Sequence, residues 1–206
     1  MSSLANLFRF DSPQRRREAL CAHFISLGIN AQVSNRGRAE EQLRAPGENS
    51  LGLISFQNSP LLWANLVQGM IRSSRSWDHL YSRTLGEAYH RIWYGVRDPN
   101  LRIEGQPIQF HSTRRRSLPV FGRAMDIQWE TETEEVQLCP LSTDAAFKEP
   151  LLKARVDVDV MGFPDGYWII SNRETGRLPN TIIWNAYESV AKGLLQYSLE
   201  SSNRLN

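Results

Sequence analysis

Three consecutive stretches near the C-terminus decide how the chain is read: Ala154-Arg155-Val156-Asp157-Val158-Asp159-Val160, then Phe163-Pro164-Asp165-Gly166, then Tyr167-Trp168-Ile169-Ile170. The first alternates valine with charge, the pattern of a strand with one buried and one wet face. The second has the composition of a tight reversal, because proline fixes one torsion and glycine accepts positive φ. The third is apolar and aromatic, as a more buried strand is. A hairpin is therefore expected, followed by a long helix from Thr181 to Leu199. Ile183, Ala186, Tyr187, Val190 and Leu194 form its apolar stripe, widened by Trp184, Ala191 and Leu195. Asn180 or Thr181 caps it, and so broad an arc is expected to lie across a sheet.

The remaining chain fits around that pair. Ser12 reads as an N-cap with Pro13 in the first helical position. The helix it opens runs to about Leu27, buries Leu20, Phe24 and Leu27, and stops at Gly28. Ile29–Ser34 reads as a short strand, 35–49 as a polar loop with one helical turn within Arg38–Arg44, and Leu51–Phe56 as a strand. Leu61–Ile71 reads either as a helix or as the return strand of a hairpin, and the short Asn58-Ser59-Pro60 turn favours the hairpin for its first half. Trp77, Leu80, Tyr81, Thr84, Leu85, Ala88 and Ile92 repeat at helical spacing, predicting a helix from Ser76 to about Tyr94. Pro107–Phe110 is expected as a strand, His111–Ser117 as a loop, Pro119–Trp129 as a long strand and Val136–Cys139 as a short one. A single helical turn is expected around Asp144–Phe147.

At 206 residues with 41% hydrophobic content and six tryptophans, the chain can bury a sizeable core. The expected fold class is α+β: an antiparallel sheet with N-terminal, central and C-terminal helices packed on it. The expected organisation is an arm over 1–11, one domain over 12–200 and a disordered tail over 201–206. No apolar run reaches the length of a membrane-spanning helix. Leu4–Phe10, broken by Asn6 and Arg9, does not make a secretory core. Cys21 and Cys139 form no C-x-x-C motif and read as reduced thiols of a cytoplasmic protein, with secretion and one disulfide as the alternative.

Charge is divided unevenly. Residues 1–123 carry 17 Arg, no Lys and 9 Asp+Glu, a net of +8, whereas residues 124–206 have a net of −6. Such a split points either to an anionic partner for the first half or to mutual neutralisation. Arg114-Arg115-Arg116, at the tip of the expected loop, is the sharpest feature and could contact phosphates. Arg15, Arg16 and Arg17 form a second basic group, placed against the helix dipole.

Catalytic patterns are sparse. Asp126, Asp157 and Asp159 could together hold a divalent cation, but the Asp/Glu-x-Lys spacing of metal-dependent nucleases is missing. His23, His79, His90 and His111 show no metal-ligand spacing, and no Walker loop, G-x-G-x-x-G or G-x-S-x-G occurs. No cofactor is implied. The leading expectation is a non-enzymatic binding or adaptor domain with a protein partner. A nucleic-acid-binding protein using the basic half and the arginine loop is the alternative, and a metal-dependent hydrolase the second alternative.

Overall fold

The computed structural model describes residues 12–44, 47–70, 88–103, 105, 107–116, 124–131, 145–172 and 178–204. In chain order the elements are α1 (Pro13–Ser26), β1 (Ala31–Val33), a 3-10 turn (Ala39–Gln42), β2 (Asn49–Phe56), β3 (Trp63–Met70), β4 (Ala88–Arg97), β5 (Ile108–Arg116), β6 (Ala124–Thr131), α2 (Ala145–Ala154), β7 (Val158–Phe163), β8 (Tyr167–Asn172) and α3 (Thr181–Arg204). The architecture is α+β. One antiparallel sheet of eight strands runs in the order β1-β2-β3-β4-β8-β7-β5-β6, with an N-terminal, a central and a C-terminal helix. None of the helices among the described residues is long and apolar enough to cross a membrane.

The chain divides into two compact units. Met1–Asn58, Leu62–Tyr94 and Asn172–Leu178 form the first; Ser59–Leu61, Gly95–Ser171 and Pro179–Asn206 form the second.

In the first unit, α1 begins as its sequence predicts. Ser12 is extended (φ −116°, ψ 143°) and its hydroxyl accepts the Arg15 amide at 3.3 Å, with Pro13 next in line. The helix packs on β1 and β2, burying Leu20, Cys21 and Phe24. The Phe24 ring meets Phe56 edge-on at 5.0 Å and Tyr94 at 6.3 Å. The run from Leu61 resolves as the return strand β3, paired antiparallel to β2 with Ile54 opposite Ala64. Register slips between Ser50 and Leu53, where β2 carries a bulge.

In the second unit, β5 pairs with β6 on one side and with β7 on the other, placing Phe110 opposite Thr131 and Val160. The reversal at 163–166 forms as expected: the Gly166 amide donates to the Phe163 carbonyl at 3.1 Å. Gly166 has φ +76° and a Cβ there would stand 3.1 Å from the Asp98 carbonyl oxygen, so glycine suits both the turn and the close approach. The Asp98 amide in turn donates to the Gly166 carbonyl at 2.9 Å. The fully buried Asp98 carboxylate takes the Trp168 indole N–H at 2.8 Å and the Asn100 amide at 3.0 Å. α3 packs against α2, and Asn180 Oδ1 caps it by accepting the Ile183 amide at 2.9 Å. The predicted stripe of Ile183, Ala186, Tyr187, Val190 and Leu194 is buried.

Several expectations are corrected. The helix predicted from Ser76 to Tyr94 is a strand over Ala88–Arg97; 76–87 lie outside the described residues. Ile92, Trp93, Tyr94 and Val96 are all buried, so both sides of the strand are covered and no alternation betrays it. The central helix is α2 instead, longer than the single turn expected around 144–147. His111–Ser117 is not a loop: His111 to Arg116 continue β5. The valine–charge run is not strand throughout. Ala154 closes α2, and Arg155 adopts a left-handed φ of 54°. The Arg155 and Val156 amides donate back to the Leu152 and Leu151 carbonyls, a helix stop more often built on glycine. The strand begins only at Val158. α3 extends to Arg204, into the expected tail. The arm at 1–11 and the strand at 136–139 lie outside the described residues.

Candidate functional site

The residues with most chemical potential in the second unit are spent on one another. Arg114 projects from β5 and grips Asp157 with two prongs, Nε to Oδ1 and Nη2 to Oδ2, both at 2.9 Å. Its Nη1 also donates to the Arg155 carbonyl at 2.7 Å. The left-handed stop at Arg155 presents that carbonyl and Asp157 to the strand. Arg114 is thus a planar clamp on a carboxylate. It is not the tip of a finger. Arg115 is exposed, and the Arg116 side chain lies outside the described residues.

His111 and Asp159, opposite each other on β5 and β7, are both buried and meet at 3.0 Å, Nδ1 to Oδ1. The face of Asp159 expected to be wet is therefore covered. Neighbouring Ser112 is buried too, and its hydroxyl accepts the Val158 amide at 2.6 Å, which ties it to the backbone of β7. Asp126 on β6 is held by Lys148 of α2 at 3.0 Å and by the Ile127 amide at 2.8 Å. The Lys148 hydrogen bond, then that amide, lower its pKa below the ordinary value. Asp126, Asp157 and Asp159 are thus each matched with a separate cationic or imidazole partner. No group of three His, Cys, Asp or Glu side chains that could hold a metal ion occurs among the described residues.

Beside the 163–166 turn lies a cleft of about 300 Å³ whose lining includes Arg97, Leu101, Arg102, Ile103 and Asp165. Arg97 donates to the Tyr167 hydroxyl at 3.0 Å. Arg102 spends Nη1 on the Pro99 and Leu101 carbonyls at 2.7 and 3.1 Å.

The first unit is different. Residues 12–58 carry six arginines against four glutamates. Arg15 is exposed at the start of α1, but Arg17 is buried, 5% exposed, and donates to the Ser34 carbonyl at 3.1 Å and to Gln14 Oε1. Its guanidinium lies against Gly52 in the β2 bulge, together with that of Arg36. Gly52 has φ +116°, and a Cβ there would stand 2.5 Å from Arg17 Nη1 and 2.7 Å from Arg36 Nη1. Arg36 is half-exposed and lies 3.8 Å from the buried Glu41 carboxylate. Arg38 pairs with Glu40 at 2.7 Å and is somewhat less exposed than Arg36. Burial, then the charge of Arg36, push the Arg17 pKa below its ordinary value, while Glu41 and Glu18 act in the opposite sense. Arg16 lies close enough to His90 to help burial hold that imidazole at about 4.

Arg36, Gly52 and Glu41, which surround Arg17, did not stand out in the sequence. One signal was available: a lone glycine inside the strand pattern Leu51–Phe56 marks a bulge or a close approach. Cys21 is a free, buried thiol whose pKa burial raises, which disfavours the nucleophilic thiolate.

No family model, curated protein or solved structure matches the chain.

Proposed function

We propose that the chain is a non-enzymatic binding domain that engages an acidic segment of a protein partner through the arginines of its first unit. The observation that carries this reading is the set of partly exposed guanidinium groups in the first unit: Arg36 at the β2 bulge, 3.8 Å from Glu41; Arg38, paired with Glu40; and Arg15 at the start of α1. Arginine forks match carboxylates two to one in hydrogen bonds and lose little hydration on contact. The second unit supports the same reading from the other side, since Arg114 and the three aspartates are committed to internal pairs. A nucleic acid draws on the same arginines and is separated by experiment.

The test is fluorescence anisotropy of the full chain with a labelled glutamate-rich peptide and a single-stranded oligonucleotide of matched charge, across a salt series. Peptide binding is expected, weakened about tenfold or more by the double substitution Arg36→Ala, Arg38→Ala and unchanged by Arg115→Ala. Tighter binding of the oligonucleotide, with log affinity falling linearly against log salt, replaces the protein partner by a nucleic acid. A flat trace with both ligands at low salt overturns the reading.

A further inference from the structure

The bulge of β2 gathers more hydrogen-bond donors than acceptors. The Nη1 atoms of Arg17 and Arg36 both pack into the place that a Cβ on residue 52 would take. Two guanidinium groups so placed repel; Glu41, and Glu18 to a lesser degree, offset the charge at Arg17. The Glu41 carboxylate already accepts the Gly37 amide at 3.2 Å and lies 3.8 Å from Arg36, beyond a good hydrogen bond. Among the described residues Arg36 otherwise reaches only the Ser50 carbonyl, at 3.5 Å.

Two buried donors at the same bulge are unused among the described residues. Arg17 Nε has no hydrogen-bond partner among the described residues, although its side chain is within the core. Asn65, fully buried on β3, takes the Ser50 hydroxyl on Oδ1 at 2.7 Å, and its Nδ2 has no partner among the described residues. Ser50 Oγ itself accepts the Gly52 amide at 3.1 Å, so Asn65, Ser50 and Gly52 form one chain of contacts leading to the arginine pair. Leaving buried donors unpaired is costly, more so on a cation. Surplus donors, paired positive charge and one half-open side are what an oxyanion satisfies.

We infer that the β2 bulge is an oxyanion-binding subsite, with Arg17 as its fixed floor and Arg36 as its solvent-side clamp. The group it takes is a carboxylate or a phosphate monoester on the partner's chain. This inference rests on the proposed binding of an acidic partner by the first unit. Gly52 is the enabling residue, because any side chain would fill the space where the two arginines meet.

The experiment uses the full chain, labelled with ¹⁵N and titrated with inorganic phosphate, with acetate and, at matched ionic strength, with chloride. The Gly52 backbone amide and the arginine Nε–H signals are followed together with the melting temperature. A saturable shift of Gly52 and of one buried Nε–H is expected with phosphate or acetate, and the tighter of the two identifies the chemistry. At ten times the dissociation constant, Tm rises by about 3–6 °C. Arg36→Ala, or Arg36→Gln should the alanine variant not fold, lowers the affinity about tenfold or more, and Arg115→Ala leaves it unchanged. A linear shift equal to that with chloride, or an Arg36 variant that titrates like the natural chain, overturns the subsite. Small-anion binding without peptide binding retains the subsite and removes the partner reading; peptide binding that ignores Arg36 and both small anions does the reverse.

Discussion

Arg114 and Asp157 provide the sharpest test of whether the triple-arginine segment serves the fold or a ligand. Asp157→Asn keeps the shape of the site and removes one charge. Arg114→Met keeps the buried stem and removes the other. The pair makes two charge-assisted hydrogen bonds of 2.9 Å, and the side chains are 13% and 19% exposed. Net contributions of about 1.5–3 kcal/mol are usual for hydrogen bonds to charged groups, and about 1 kcal/mol or less for ion pairs in open water. This pair stands between those limits but nearer the first, so each single substitution is expected to cost about 2 kcal/mol. The double variant should reveal a coupling of about 1–2 kcal/mol, because once one partner is gone the other has little left to lose. The assay is urea unfolding followed by tryptophan fluorescence, for which the chain carries six reporters. Single costs under about 0.5 kcal/mol with no coupling would refute the reasoning. Arg114 would then be available to a ligand, as the sequence alone suggests.

Three further outcomes follow from local geometry. His90 is held at about 4, against an ordinary 6.5, by burial and then by Arg16. The unfolded chain therefore takes up a proton that the folded one refuses. The stability His90 confers is complete above pH 6.5 and is lost as pH falls from 6.5 toward 4, and His90→Gln should flatten urea-derived stability across that window. Gly52→Ala should destabilise by about 2 kcal/mol or more in the same assay, since it combines a φ of +116° with contacts of 2.5–2.7 Å to two arginines. Trp168→Phe keeps most of the buried ring but strips the Asp98 carboxylate of its indole donor, and should cost about 1–3 kcal/mol.

The parts of the fold legible in the sequence are those fixed by neighbours in the chain. Ser12-Pro13 and Gly28 bound α1, Asn180 starts α3, and Pro164-Asp165-Gly166 makes the β7–β8 reversal, each through contacts a few residues away. What escaped is fixed at a distance. Thr113, Arg114 and Arg115 look like loop because nothing near them in sequence pairs with them. Their partners Glu130, Asp157 and Asp126 arrive from other strands or from a strand's approach, and only then is a polar run content inside a sheet. β4 carries aromatic residues on both faces, which mimics helical spacing. The site divides the same way. Arg15, Arg16 and Arg17 stand out as charge, but the burial of Arg17 and its meeting with Arg36 over Gly52 depend on the register of β2 and the packing of α1.

The contact that joins the Asp98 turn to the β7–β8 reversal has a kinetic consequence. Asp98 and Trp168 are 70 residues apart, yet the carboxylate is fully buried against the indole. Likewise His111 and Asp159 are separated by 48 residues. The β7–β8 hairpin can form early from its own turn, but its strands stay unmatched until residues far upstream close large loops upon them. Folding of this unit is accordingly of high contact order, with a rate set by loop closure and little by local propensity. During the wait, Val158, Val160, Trp168, Ile169 and Ile170, all buried in the native state, face solvent on two adjacent strands. Refolding from urea should therefore be slow and concentration-sensitive, with losses to association rising at high protein concentration while the native protein at that concentration remains unchanged.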